Sequence, residues 1–407
     1  MPWSIATELA ELEASGLRRR LRVLESSQGT VVKISGREVV NFSSNDYLGL
    51  ADSEELRGAF AEGIQKYGAG SGASRLVCGG MEPHHELEAA LAEFKGTAAA
   101  LTFSSGFAVA LGTITTLMGA GDVIILDKLC HASLVDAARL SGATIRVFPH
   151  NHLGKLEKLL ASSAAAARRV LAVTESIFSM DGDAAALADI VELKDRHGAW
   201  LMLDEAHGVG VLGPQGRGLA AALGLEQRVE LQMGTLSKAF GLAGGYLAAS
   251  RAVIDLLINK ARSFIYTTAP PPALAHAAGA ALRLIQGVEG DRRRARLQAN
   301  VDSLLSSRLP GLEPRVGTLD KSAILPMIIG DEARAMQLSA RLLEEGFLIP
   351  AIRYPTVARG SARLRLTLSA AHEPGQIEAL ATSLGCAAAE LATGEPLPPS
   401  GEVVEGS

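Results

Sequence analysis

The chain is poor in cysteine. Its 407 residues hold three, Cys78, Cys130 and Cys386, far apart, odd in number and without a C-x-x-C pair. That pattern disfavours a disulfide framework, a zinc site or any other metal centre, and it fits a reducing cytoplasm. A basic excess is also missing. The 39 Lys and Arg stand against 44 Asp and Glu, for a net charge of −5, so nucleic acid is not an expected partner. Long apolar runs are absent too. The longest, Phe107–Met118, falls short of the roughly 20 residues that cross a bilayer, so no membrane association is expected. The N-terminus is acidic and amphipathic rather than charged-then-apolar, unlike a secretion signal. Finally, there is no G-x-x-x-x-G-K-[ST] loop. The only Gly-Lys pair, Gly154-Lys155, is followed by Leu156. Without that loop, Asp204-Glu205-Ala206-His207 cannot be read as a helicase motif.

What is present is ordinary globular sequence, 48% hydrophobic and 20% charged, long enough for one large domain and a smaller one. Ile5, Leu9, Leu12, Leu17, Leu21 and Leu24 recur at helical spacing, which predicts an amphipathic helix over 3–24. Val31–Ile34 and Glu38–Phe42 flank Ser35-Gly36-Arg37 and predict a hairpin. Between about 53 and 250, helical stretches alternate with short runs apolar on both faces: Ala99–Phe103, Val123–Leu126, Thr144–Phe148, Val170–Thr174, Trp200–Leu203, Glu230–Met233 and Gly245–Ala248. Such runs suit an α/β fold with a mostly parallel central sheet covered by helices. Pro270-Pro271-Pro272 breaks the chain. Helices are expected over 273–288 and 291–308, then a βαββα-like tail: Ala323–Ile329, Ala333–Glu345, Leu348–Ile352, Arg363–Leu368 and Glu373–Leu384. The expected organisation is an N-terminal helix and hairpin segment (1–50), a large domain (51–285), a smaller α/β C-terminal domain (286–392) and a loose tail (393–407).

Gly208-Val209-Gly210-Val211-Leu212-Gly213 matches G-x-G-x-x-G. A dinucleotide loop runs straight from strand into helix. Here four residues intervene after the apolar run, and Pro214-Gln215-Gly216 follows, so that reading is rejected.

The chemistry lies in an ordered set of strand ends. In open α/β sheets ligands bind beyond the carboxyl ends of the strands. Asp204 ends one apolar run, and His207 follows three residues later. Lys238 lies in Gly234-Thr235-Leu236-Ser237-Lys238, among small and apolar residues that can lower its pKa by desolvation. Thr235 and Ser237 offer hydroxyls suited to a phosphate. Thr102–Phe107 ends a strand and opens a helix whose free N–H groups can cradle a phosphate. His131 follows another strand, where it can lie flat on an aromatic ring. Singly, each of these has a bland alternative: a cap, a surface lysine, a routine turn, a satisfied histidine. Their combination and order form the layout of fold-type I, aspartate aminotransferase-like enzymes that use pyridoxal 5′-phosphate (PLP). PLP works as an electron sink only while its ring nitrogen stays protonated, which a buried carboxylate ensures.

The sequence resembles the α-oxoamine synthase family over about residues 3–390. The resemblance rests on Asn41-Phe42-Ser43-Ser44-Asn45-Asp46-Tyr47-Leu48-Gly49-Leu50, on Gly70-Ser71-Gly72-Ala73-Ser74-Arg75, and on Thr174-Glu175-Ser176-Ile177-Phe178-Ser179-Met180-Asp181-Gly182-Asp183. Within the family, Ala351–Val357 and Ser361–His372 most resemble the biotin-pathway branch, which joins L-alanine to pimeloyl-CoA or a pimeloyl carrier protein and loses CO2. The alternatives are branches such as glycine C-acetyltransferase and 5-aminolevulinate synthase; Tyr354-Pro355 also occurs in the latter.

The resemblance implies roles. Lys238 would carry the cofactor as a Schiff base and move the substrate's α-proton. Asp204 would pair with the ring nitrogen, His207 and Ser179 would meet the phenolic oxygen, and His131 would stack on the ring. Ser105, Gly106, Phe107 and Thr235 would hold the phosphate. Arg365 would grip the amino-acid carboxylate as a bidentate fork, with Asn45 among the substrate contacts. Arg18 and Thr356 would meet the acyl substrate. The family is homodimeric, so Ser71, Thr267 and Thr268 would complete the neighbouring subunit's site.

Overall fold

The computed structural model describes residues 4–393 except 16, 308, 310 and 315–321. Among the described residues the strands are β1 Val31–Ile34, β2 Arg37–Asn41, β3 Ala99–Phe103, β4 Val123–Asp127, β5 Thr144–Phe148, β6 Val170–Glu175, β7 Trp200–Asp204, β8 Leu231–Thr235, β9 Gly245–Ala249, β10 Ile324–Gly330, β11 Phe347–Leu348, β12 Ala351–Ile352 and β13 Ala362–Thr367.

Seven of them form the central sheet, in the order β3-β9-β8-β7-β6-β4-β5. Strand β9 runs antiparallel to both its neighbours, β3 and β8, whereas the pairs β8–β7, β7–β6, β6–β4 and β4–β5 are parallel. β3, β4, β6, β8 and β9 are buried along their whole length, which explains their apolar runs. Helices cover the sheet; Gly106–Leu117 packs on Ala132–Ser141, and Pro272–Gln286 on Glu54–Tyr67. Among the described residues no helix is long and apolar enough to cross a membrane.

Two expectations needed correction. The N-terminal helix covers only Ile5–Ala14, not 3–24. Leu17 N–H and Arg18 N–H both turn back to the Leu12 carbonyl, a capping closure that ends the helix. No residue of the helix is buried, and Leu21 is 99% exposed, so among the described residues little of this apolar face is covered. Farther on, the expected single strand Leu348–Ile352 is two strands in two sheets. β11 pairs in parallel with β2 of the N-terminal hairpin, and β12 pairs with β13. Pro350, between them, has no N–H for a continuous ladder. The N-terminal hairpin thereby shares a sheet with the C-terminal region. The tail expected from residue 393 lies outside the described residues, save Thr393 at the end of the last helix.

Candidate active site

The parallel order places the carboxyl ends of β4, β6, β7 and β8 along one edge of the sheet. Each end supplies a polar group. Asp204 closes β7 and is in register with Glu175, which closes β6. Lys238 follows β8 by three residues, and His131 caps the helix Ala132–Ser141 after β4.

These groups act on one another. Burial lowers the Lys238 amine first, and Asp204 and Glu175 oppose that shift. Burial likewise raises the Asp204 carboxyl, and Lys238 opposes it most. One Asp204 oxygen accepts the Ala206 N–H at 2.9 Å. The carboxyl is only 4% exposed, so a cationic N–H partner for its charge matches this site. Loss of solvent lowers His131 first, while Asp204 and Lys238 pull it in opposite senses. Burial pushes His207 well below the ordinary histidine value, so its imidazole is neutral.

The open N-terminus of a helix adjoins this group. Ser105 is the N-cap of Gly106–Leu117, and its hydroxyl accepts the Ala108 N–H at 3.1 Å. The first N–H groups of a helix have no partner within it. A Cβ placed on Gly106 would lie 4.0 Å from Thr235 Oγ1, and one on Gly245 would lie 2.9 Å from the Gly106 nitrogen. Thr235, at the end of β8, therefore sits beside the helix opening, and glycine at 245 permits that closeness. Thr235 Oγ1 is 2.7 Å from Ser237 Oγ.

Arg365 enters from β13. Its guanidinium is buried and donates to Ser179 O at 2.6 Å, Thr367 Oγ1 at 3.0 Å and Asn45 Oδ1 at 3.1 Å. No carboxylate among the described residues forms an ion pair with it. A buried guanidinium with only neutral acceptors suits an incoming carboxylate. Arg365 thus joins Asn45 and Ser179 through its guanidinium. Arg363, two residues earlier on the strand, ties down the same loop through Met180 O and Asp181.

Other expected residues lie elsewhere. Arg18 pairs with Glu13 at 3.0 Å, and it is Arg19 that approaches Thr356, at 3.4 Å from its hydroxyl. Ser71 donates to Pro270 O at 2.8 Å, and Ala269 N–H bonds Ala73 O. Ser71, Thr267 and Thr268 therefore share one surface region, with contacts to each other's segments rather than to Lys238.

Sequence reasoning missed two side chains. Tyr47, 1% exposed, places its hydroxyl 2.5 Å from His207 Nδ1. Glu175 binds the His131 N–H. Both lie inside the long motifs quoted above, which was the available signal. The rejected motif is also explained. A Cβ on Gly210 would lie 2.4 Å from Ala239 Cβ, and one on Gly213 would lie 2.5 Å from the Gly218 carbonyl oxygen; both residues have positive φ. These glycines serve chain packing.

Comparison with known proteins agrees with this geometry. The model of the class I and II aminotransferases matches residues 37–384. A protein of Geobacter sulfurreducens named 8-amino-7-oxononanoate synthase is 48% identical over 392 residues, covering 96% of this chain and 99% of its own. The serine palmitoyltransferase of S. paucimobilis with bound PLP-myriocin aldimine matches with a TM-score of 0.86 at 31% identity, over 96% of this chain and 97% of its own. The 8-amino-7-oxononanoate synthase of Francisella tularensis gives 0.74 at 30% identity, over 88% and 98%. With a family model across most of its length and relatives nearly half identical throughout, this chain belongs to the class I and II aminotransferase family of PLP enzymes, in its α-oxoamine synthase branch.

Proposed function

We propose that this enzyme catalyses the decarboxylative condensation of L-alanine with a pimeloyl thioester, carried by CoA or by a carrier protein. The products are 8-amino-7-oxononanoate, the free thiol carrier and CO2, and the setting is cytoplasmic biotin biosynthesis. The observation that carries this reading is the gathering of Lys238, Asp204, His131 and His207 at one sheet edge, beside a buried Arg365 that forms no ion pair among the described residues.

Bound PLP supplies an electron sink for the α-carbon of the amino acid. The chain's own residues do the rest. Asp204 holds the proton on the ring nitrogen, and His207 and Ser179 meet the phenolic oxygen. His131 covers the ring face. Gly106, Phe107 and Thr235, with Ser105 as cap, hold the phosphate at a helix N-terminus. Arg365 and Asn45 orient the alanine carboxylate. Lys238, its amine favoured in the neutral form by burial, takes the α-proton and returns one after CO2 departs. Arg18 and Thr356 are assigned to the far end of the acyl chain. Arg19, which already approaches Thr356, is a further candidate there.

A homodimer is part of the proposal. Ser71, Thr267 and Thr268 lie among exposed apolar side chains, Leu76, Val77 and Tyr266, the kind of surface that another subunit covers. Light scattering of the purified enzyme tests this, and a monomer that turns over would refute it.

The functional test compares kcat/KM for pimeloyl-CoA, succinyl-CoA and acetyl-CoA, each with alanine and with glycine. The pimeloyl and alanine pair should win. A win for glycine with acetyl-CoA or succinyl-CoA would move the enzyme to another branch of the same family.

A further inference from the structure

Glu175 is a buried acid with no cation paired to it. It ends β6, is 2% exposed, and forms no ion pair among the described residues. Leaving such a group in the interior is costly unless hydrogen bonds satisfy it. Its partners are backbone groups. Oε1 accepts the His131 N–H at 2.5 Å across 44 residues of sequence, and the Ser179 backbone, in the loop that leaves β6, faces the same carboxyl and works against its raised pKa.

Helix capping does not account for the first bond. The helix Ala132–Ser141 is already capped by His131 itself, whose Nδ1 accepts the Ser133 N–H at 3.2 Å. What Glu175 adds is a fixed distance between the end of β6 and the His131 backbone. The same carboxyl faces the Ser179 backbone. These two residues stand in different loops, and each is assigned above to the cofactor ring.

We infer that Glu175 is a positioning residue: one buried carboxyl fixes the backbones of His131 and Ser179, and so sets the face contact and the edge contact of the ring together. This rests on the ring roles proposed above for those two residues. Burial and then the neighbouring Asp204 charge push the Glu175 carboxyl well above the usual range. That shift favours the protonated form of Glu175. A protonated carboxyl still accepts through its carbonyl oxygen, and a glutamine amide does the same at the same reach.

A ranking of variants follows. Glu175→Gln keeps length, neutrality and one acceptor. Glu175→Asp is too short by one methylene, and Glu175→Leu keeps bulk without an acceptor. The readouts are hydrogen-exchange mass spectrometry of the cofactor-free protein, on peptides holding the His131 and Ser179 amides, and the visible circular dichroism and dissociation constant of bound PLP. The Asp and Leu variants should lose protection at both amides, bind PLP about 10-fold or more weakly, corresponding to ~1.4 kcal/mol, and change the dichroism. Glu175→Gln should stay close to wild type in all three. The inference is overturned if either damaging variant keeps both amides protected, or if dichroism is unchanged where protection is lost. It is overturned equally if Glu175→Gln is as damaged as Glu175→Leu, since charge would then be what matters. Should the Leu variant not fold, the Asp variant carries the test. No readout uses turnover, so failure of the proposed condensation would leave this result standing.

Discussion

The hydroxyl of Tyr47 lies 2.5 Å from Nδ1 of His207, and both groups are buried. Burial pushes the Tyr47 hydroxyl up to about 12, against the opposing charge of Arg365, so it remains a neutral O–H near pH 7. His207 is neutral as well. Tyr47 also approaches Asn45 Oδ1, but at 3.3 Å, beyond the usual range for an O–H donor. The short contact therefore takes the tyrosine proton. With Nδ1 accepting, His207 carries its own proton on Nε2, the tautomer that its proposed role at the phenolic oxygen requires.

Tyr47→Phe keeps the ring and removes that donor. An unpaired buried acceptor costs about 1–3 kcal/mol. We expect a stability loss of that order by urea denaturation of the cofactor-free protein, together with a shifted absorbance maximum of bound PLP. An unchanged stability and an unchanged spectrum would show that Tyr47 only fills space.

Lys238→Ala should abolish turnover. The wild-type protein is expected to be yellow, with an absorbance band that borohydride removes. The variant should lack that band yet bind PLP weakly, because the helix opening at Gly106 and the Thr235 hydroxyl remain. A wild-type spectrum in the variant would assign the lysine wrongly.

Asp204→Asn replaces the charge with an amide that cannot hold the ring nitrogen protonated. Removal of the α-proton should slow by ~10²-fold or more, about 2.7 kcal/mol. Exchange of the alanine α-proton with deuterium measures that step directly. Near-normal exchange would leave Asp204 with a structural role only.

The sequence made the central sheet legible because its strands are apolar on both faces, which few other elements are. Strand ends could then be located, and with them Asp204, His131 and Lys238. The N-terminal segment was misread because the helical period of Leu17, Leu21 and Leu24 runs on past the point where the Leu17 and Arg18 N–H groups close the helix on Leu12. Leu348–Ile352 was misread because Pro350 redirects the chain into a second sheet. Tyr47 and Glu175 were hidden for another reason. Tyr47 acts on a residue 160 positions away, and Glu175 acts through the register of β6 with β7 and through a helix start after β4. Neither relation has a local periodicity.

Arg365→Lys tests recognition of the amino acid. The guanidinium is held by Ser179 O, Thr367 and Asn45, and it has five N–H donors in a planar fork. An ammonium keeps the charge but cannot hold these three partners and a carboxylate in one plane. The KM for alanine should rise by an order of magnitude or more, while the KM for the acyl thioester changes little. Equal effects on both substrates would place Arg365 outside the carboxylate site.

The loop 179–183 is also clamped from the large sheet. His150 Nδ1 lies 3.1 Å from Asp127 and its Nε2 lies 2.8 Å from Asp183. Burial works against a charge on His150, but hydrogen bonds to the two carboxylates outweigh it and raise the pKa from 6.5 to about 10. Because the folded value lies above the unfolded one, the folded state binds the extra proton between the two. The stabilisation is therefore full below about pH 6.5 and is lost as the pH rises through about 10. Other groups titrate in that range, so the informative quantity is a difference. The gap in unfolding free energy between wild type and His150→Gln should be widest at pH 6 and should shrink steadily towards pH 10. The same loop supplies Ser179 to Arg365, so the wild-type KM for alanine should climb over the same pH interval, and the His150→Gln enzyme should show a raised and flatter profile. A gap that stays constant with pH would mean that His150 binds its two carboxylates as a neutral ring.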